Sequence, residues 1–286
     1  MILVGDRKVG GDNPCFIVAE AGLAHEGRFE LAKELINMAA DAGADAVKFQ
    51  VYRTKDLISK DRAPDWYERF ERKELPYGEF AELKEYAEKR GIIWFATPHT
   101  VSAYIFLQVL GVPLYKVGSG ERFNDSITKM VMSSGKPVFI SLGMKEHGEI
   151  ANFVSLYGGP NVAFLHCVTM YPVAEDKANM AFLSTLRKWC RLEGSDVGYS
   201  DHTPGTSAVE MAVVLGAKII EKHMKVKEST GQDVNCSLDG MELKAMVGKI
   251  RQIERMMGSE IREYSAEERE SEKWALKGKD QKRPPY

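Results

Sequence analysis

The chain has 286 residues, enough for one large α/β barrel or two ordinary domains. Its 39 Lys and Arg against 41 Asp and Glu leave a formal charge of -2, which argues against the basic surface that a nucleic-acid or anionic-membrane partner usually needs. Hydrophobic residues at 44% and charged residues at 28% are those of a soluble globular protein, and no apolar run approaches the ~20 residues of a membrane span. Met1 to Asp6 has neither the basic nor the long apolar region of a signal peptide. Cys15, Cys167, Cys190 and Cys236 are scattered with no C-x-x-C pair, so reduced thiols in the cytoplasm are expected.

Ile2–Val4 and Lys8–Val9 flank Gly5-Asp-Arg7 as a short hairpin of the kind that can plug the bottom of a barrel. A regular alternation then begins. Cys15–Glu20 is a buried-type strand, Phe29–Ala42 has the apolar spacing of a helix, and Ala46–Val51 is a second strand. A long polar loop is expected from Tyr52 to Leu75, then a helix marked by Phe80, Leu83 and Ala87. Further strands are expected at Ile92–Ala96, Leu114–Val117, Val138–Ser141 and Val162–Leu165. The last two run through Asp196-Val-Gly-Tyr-Ser-Asp-His-Thr203 and Ile219-Ile-Glu-Lys-His223, with a helix from Gly205 to Gly216 between them. Glycines 43, 91, 111, 135 and 216 stand where helices would end in the left-handed conformation. Eight such units in about 250 residues make a (β/α)8 TIM barrel the economical fold. A doubly wound sheet is the alternative, but no G-x-G-x-x-G follows the first strand. The barrel is expected to span 1–258, closed by a helix from Met241 to Met257, with 259–286 a charged tail that frays from Lys277.

The predicted strands end in groups that are costly to bury alone: Glu20, Lys48, Gln50, Lys116, Ser119, Glu121, Ser141, His166, Ser200, His202, Glu221 and His223. Singly, each has a bland reading as a solvated lysine, a satisfied core histidine or a capping hydroxyl. Together, at the C-terminal end of one barrel, they form a site. Two lysines with several hydroxyls suit a small anion bearing phosphate and carboxylate, and Lys116-Val-Gly-Ser-Gly-Glu121 adds glycines that let backbone N–H groups approach it. His202 and His223 end neighbouring strands and are a candidate metal pair.

Six motifs in order carry a resemblance: Ala19-Glu-Ala-Gly-Leu-Ala-His-Glu-Gly27, Val47-Lys-Phe-Gln50, Tyr115–Glu121, Leu165-His-Cys167 with Tyr171-Pro172, Gly198–Thr203 and Glu221-Lys-His223. Over residues 1–258 the chain resembles the N-acetylneuraminate (sialic acid) synthase family, cytoplasmic transferases of carbohydrate biosynthesis. The resemblance implies condensation of phosphoenolpyruvate with an N-acetylmannosamine-type sugar to a 2-keto-3-deoxy sugar acid, with release of phosphate. It implies that Lys48, Lys116, Ser119, Ser141 and Ser200 bind phosphoenolpyruvate, and that His202 and His223 bind Mn²⁺, with Mg²⁺ or Co²⁺ as alternatives. Glu20, Gln50, Glu121, Tyr171 and Asp233 would face the sugar or its reacting water, with Glu20 and Glu121 counted as catalytic beside the two histidines. A homodimer acting on free substrates, without nucleic acid or membrane, is expected.

The chain departs from the family pattern at Ala24 (usually Asn), at His99 after Thr97-Pro98 (usually Phe) and at Gly231-Gln-Asp233 (usually Gly-Pro-Asp). The family's C-terminal antifreeze-like domain is also expected to be missing, which leaves the Tyr52–Leu75 loop, with Trp66, Tyr67, Phe70, Arg69 and Arg72, as a candidate lid or subunit contact. Three rival readings are a 3-deoxy-octulosonate-phosphate-type synthase, a Schiff-base aldolase using Lys48, Lys116 or Lys222, and a catalytically silent barrel that binds a sugar.

Overall fold

The computed structural model describes residues 1–277. It opens with an antiparallel hairpin, β1 (Ile2–Val4) and β2 (Arg7–Val9). Eight parallel strands follow: β3 (Phe16–Gly22), β4 (Ala46–Val51), β5 (Ile93–Pro98), β6 (Tyr115–Val117), β7 (Val138–Ser141), β8 (Val162–Cys167), β9 (Asp196–Asp201) and β10 (Ile219–His223). They form one sheet in the order β5-β4-β3-β10-β9-β8-β7-β6. The edge strands β5 and β6 lie side by side, so the sheet curls into the expected barrel.

The helices, in chain order, are α1 (Phe29–Ala42), α2 (Thr54–Leu57), α3 (Pro64–Lys73), α4 (Tyr77–Lys89), α5 (Val101–Leu110), α6 (Asp125–Met132), α7 (His147–Tyr157), α8 (Phe182–Leu192), α9 (Ser207–Val214), α10 (Gly240–Met257) and α11 (Ala266–Ala275). In α1, Leu31, Leu35, Ile36, Ala39 and Ala42 share the buried face, and Gly43 ends the helix at φ 80, where a side chain would be strained. No described helix is long and apolar enough to cross a membrane.

Side chains alternate across each strand, and that period of two builds the site. One face of the strands packs on the helices, through Ile17, Ala19, Val47, Phe49, Ile140, Phe164, Val197 and Ile220. The other face fills the barrel with Phe16, Val18, Ala46, Phe95, Leu114, Phe139, Ala163, Leu165 and Ile219. Ile2, Val4 and Val9 of the hairpin join this inner cluster, so β1 and β2 plug its bottom as expected. Two positions further along the same inner faces stand Glu20, Lys48, Lys116, Ser141 and Glu221. The bottom of the barrel is thus dry, and its C-terminal mouth carries charge.

Two expectations are corrected, and the tail gains a detail. The strand expected at Ile92–Ala96 runs from Ile93 to Pro98, so Thr97 is a wall residue and not the end of the strand. The stretch from Tyr52 to Leu75 is not a loop but holds α2 and α3. Its aromatics pack on one another: Tyr52 donates to the Phe70 carbonyl at 3.0 Å, and Trp66 lies against Phe70. Lys73 ties α3 down, at 2.6 Å from Glu26 and 2.8 Å from the Thr230 carbonyl. The charged tail is partly helical, since Ser265 caps α11 by accepting from the Glu268 N–H. By compactness the chain divides into two units at Glu254 and Arg255. The frayed end expected from Lys277 lies almost wholly outside the described residues.

Candidate active site

The mouth of the barrel holds a chain of buried charges. Glu20 sits near the end of β3, Lys48 on β4, Lys116 on β6 and Glu221 on β10, none more than 5% exposed. Lys48 Nζ stands 3.0 Å from Glu20 Oε2 and 3.6 Å from Glu221 Oε2, and donates to Thr97 Oγ1 at 3.2 Å. Lys116 Nζ donates to Ser141 Oγ at 2.7 Å and to the Val117 carbonyl at 3.0 Å, with Glu221 Oε1 at 4.0 Å. Ser200 donates to Glu221 Oε1 at 3.1 Å, and Gln50 to Glu20 Oε1 at 3.1 Å. A pair 4 Å apart gains about 4 kcal/mol at an effective dielectric of about 20, while each ion loses several kcal/mol of hydration. Four such groups buried side by side are poor stability devices, and their placement points to a ligand.

The environment divides the four. Burial raises the Glu20 carboxyl above its usual range, more than Lys48 lowers it. Glu221 suffers the same burial, but Lys116, Lys48 and His223 outweigh it and hold the group down at about 2. Burial acts to lower Lys48, yet its two carboxylate neighbours raise it on balance. Lys116, with Glu221 further off at 4.0 Å, is lowered by burial and by the neighbouring charge of Lys48. Two carboxylates pushed apart in this way suit different roles, one able to hold a proton and one permanently charged.

The two histidines converge as expected. His202 follows β9 directly, His223 is the last residue of β10, and their ring centroids are 5.3 Å apart. His202 Nδ1 lies 2.9 Å from the Val168 carbonyl, which fixes the ring with Nε2 free. The Cys167 sulfur lies further from the same nitrogen, at 3.9 Å. Burial holds His223 down at about 4, so its imidazole is neutral at ordinary pH. For His202, burial acts in the same direction, but Cys167 and the Val168 carbonyl outweigh it and raise the ring's value. Among the described residues no cluster of three or more His, Cys, Asp or Glu stands at metal-ligating spacing. The site therefore offers two imidazoles, one anchored and one neutral, and a divalent ion there would complete its shell with water or substrate. On those terms the residues fit such an ion.

The remaining expected residues stand around this centre. The Tyr171 ring lies 4.1 Å from His202 and 6.0 Å from His223, centroid to centroid. Ser119 Oγ accepts from the Gly143 N–H at 3.0 Å, which ties the turn after β6 to the loop after β7. Glu121 stands apart from the charged chain. Asn124 donates to it at 2.7 Å, and His99 Nδ1 is 3.3 Å away, so the unusual His99 does reach a residue of the expected set. Asp233 lies in a short 3-10 turn (Gln232–Cys236) and lines a small cavity with His223.

Two expected groups face the other way. His166 sits on the outer wall of β8, where Nε2 meets the Ala178 carbonyl at 2.9 Å. Lys222 points out of β10 into an ion pair with Asp201 at 2.6 Å, fully buried, which removes it as a Schiff-base nucleophile in the barrel. Three useful groups had no assigned role: Glu221, Thr97 and Asn124. Glu221 was legible, since it shares the inner face of β10 with His223 by the period of two. Thr97 and Asn124 were not, because their partners come from other elements.

Comparison with known proteins decides the family. The profile of the NeuB family matches residues 35–262. The chain belongs to the NeuB family. It is 37% identical to the N,N'-diacetyllegionaminic acid synthase of Campylobacter jejuni, over 89% of this chain and 81% of that protein. It is 34% identical to human N-acetylneuraminate-9-phosphate synthase, over 88% of this chain and 74% of that protein. The crystal structure of the sialic acid synthetase from Leptospira borgpetersenii superimposes with a TM-score of 0.84 at 35% identity, covering 94% of each chain. NeuB family enzymes condense phosphoenolpyruvate with amino sugars to sialic-type acids and generally use a divalent metal. A 3-deoxy-D-arabino-heptulosonate 7-phosphate synthase from Thermotoga maritima shares the fold alone, at 16% identity.

Proposed function

We propose that this NeuB family chain condenses phosphoenolpyruvate with an N-acetylmannosamine-like amino sugar and releases phosphate, giving a sialic-acid-type 2-keto-3-deoxy sugar acid. The observation that carries this reading is the pairing, in one barrel mouth, of two buried lysines and their hydroxyl partners with two converging imidazoles. Lys116, Lys48, Ser119, Ser141 and Ser200 bind the phosphate and carboxylate of phosphoenolpyruvate, by point charge and directed O–H donors. Glu221 sits between the lysines, 3.6 Å from Lys48 and 4.0 Å from Lys116, and offers both a counter-charge until the substrate arrives. His202 and His223 would hold the divalent ion, Mn²⁺ first and Mg²⁺ or Co²⁺ as alternatives, which supplies a Lewis acid for the sugar aldehyde.

The new bond joins C3 of phosphoenolpyruvate to the aldehyde carbon. Water then adds at C2, and phosphate leaves with the bridging oxygen. Glu20, whose carboxyl burial raises above its usual range, is the group placed to hold and return a proton. Gln50 orients Glu20. Glu121, held by Asn124, together with Tyr171 and Asp233, faces the sugar and its reacting water. The enzyme is read as a cytoplasmic homodimer, in keeping with the four free cysteines. A silent sugar-binding barrel needs neither the lysine pair nor the raised Glu20. A phosphate-release assay with phosphoenolpyruvate, Mn²⁺ and a panel of amino sugars separates the two. Release that depends on one amino sugar supports the enzyme, and sugar binding without release supports the silent barrel.

The histidines give a pH signature. Metal binding needs both rings unprotonated, but they do not titrate together. His223, at about 4, is already neutral, while His202 is raised above 6.5. As pH falls from 6.5 to 5, one proton competes with the ion, so log Kd for Mn²⁺ rises by about one per pH unit. A slope of two would mean that both rings titrate in that range.

A further inference from the structure

Ladder pairing does not fix the spacing of the two histidines. The register between β9 and β10 ends at Lys222 opposite Asp201, so His202 lies one residue past the last pair, while His223 pairs with Glu20 of β3 on its other side. On the outer face of the wall, behind these histidines, sits a fully buried polar cluster. Lys222 Nζ donates to Asp201 Oδ2 at 2.6 Å and to the Thr203 carbonyl at 2.5 Å. Asp201 Oδ1 accepts from Tyr199 Oη, from the Thr203 N–H and from Thr203 Oγ1, each at 2.9 Å. Asp201 and Lys222 are both 0% exposed.

Asp201 and Thr203 are the residues on either side of His202. One ammonium from the strand of His223 therefore grips the chain before and after His202. A buried ion pair is weak evidence for stability, since apolar residues of the same volume often serve as well. Its value here is geometric. Hydrogen bonds behind a ligand commonly set its orientation, and losing them commonly costs 10- to 100-fold in metal affinity.

We infer that Lys222 and Asp201 are positioning residues that set the His202–His223 spacing from outside the barrel and so tune the affinity of the site for its divalent ion. The inference rests on the metal role proposed for the two histidines.

The test measures Mn²⁺ affinity of the substrate-free protein by electron paramagnetic resonance, beside the melting temperature and the affinity for phosphoenolpyruvate. Lys222→Met strands the Asp201 charge and can fail to fold, so the double variant Lys222→Met/Asp201→Asn, which removes both charges, is the decisive protein. It should stay folded, bind Mn²⁺ about 10- to 100-fold more weakly, and keep its affinity for phosphoenolpyruvate within about twofold. Wild-type Mn²⁺ affinity overturns the inference, as does a loss matched by an equal loss of phosphoenolpyruvate binding, which would mark general disorder. His202→Ala runs in parallel. If it also binds Mn²⁺ like wild type, the metal role itself fails and the inference falls with it. If it loses the ion while the double variant does not, the inference alone is wrong.

Discussion

His202→Ala or His223→Ala is expected to lower metal-dependent turnover by about three orders of magnitude or more, with the barrel still folded. A Lewis acid on a reacting carbonyl is worth several kcal/mol, and each 1.36 kcal/mol is about tenfold in rate. Either substitution would remove one of the two imidazoles that converge at the proposed metal position. The fold should tolerate the change. Among the described residues, His202 has one ring hydrogen bond of ordinary length, to the Val168 carbonyl, and His223 has none. Turnover with added Mn²⁺, turnover with chelator and thermal melting check this together. A variant that keeps the wild-type rate in chelator contradicts the metal role.

The second large effect separates the two lysines. Lys116→Met should raise KM for phosphoenolpyruvate by about two orders of magnitude with little change in melting temperature, since truncating a buried charge contact typically costs about 2–5 kcal/mol of binding. Among the described residues the nearest carboxylate to Lys116 is Glu221 at 4.0 Å, and Glu221 keeps Lys48 at 3.6 Å when Lys116 is gone. Lys48→Met should weaken phosphoenolpyruvate binding as well, but here the sequence misleads. From sequence alone both variants would be expected to melt like wild type. In the structure Lys48 is the counter-ion of Glu20 and also approaches Glu221, so its loss leaves buried carboxylates short of positive charge. Breaking such a pair costs about 3–5 kcal/mol, and Lys48→Met should melt well below Lys116→Met. Equal melting of the two variants, or unchanged KM in both, would contradict this assignment.

The barrel was legible because its signal is periodic and local. Ala46–Val51, Val138–Ser141 and Phe29–Ala42 stand where the sequence placed them, since their patterns lie within one element. The stretch from Tyr52 to Leu75 was misread because α2 and α3 are short and polar. Trp66, Tyr67 and Phe70 do stand at helical spacing in α3, but the charged residues around them hide that short stripe in the sequence. The inner polar set of β3, β4, β6 and β10 was legible through the period of two. The direction in which a strand-end group faces was not always read from it, and His166 and Lys222 were drawn toward the site although each sits one residue out of phase with a true inner neighbour, Leu165 and Glu221. What no local pattern carries is the partner across the barrel: Asn124 on Glu121, Thr97 on Lys48, and the Lys222 grip on both sides of His202.

The central claim is that the mouth of this barrel joins phosphoenolpyruvate to an amino sugar with loss of phosphate. Its most direct test follows the bridging oxygen. Phosphoenolpyruvate labelled with ¹⁸O between C2 and phosphorus is turned over with Mn²⁺ and the amino sugar that supports phosphate release. Mass spectrometry should then find the label in inorganic phosphate, and a 2-keto-3-deoxy sugar acid that carries none of it. Label retained at C2 of the sugar acid, or phosphate released with no sugar acid formed, would contradict the account.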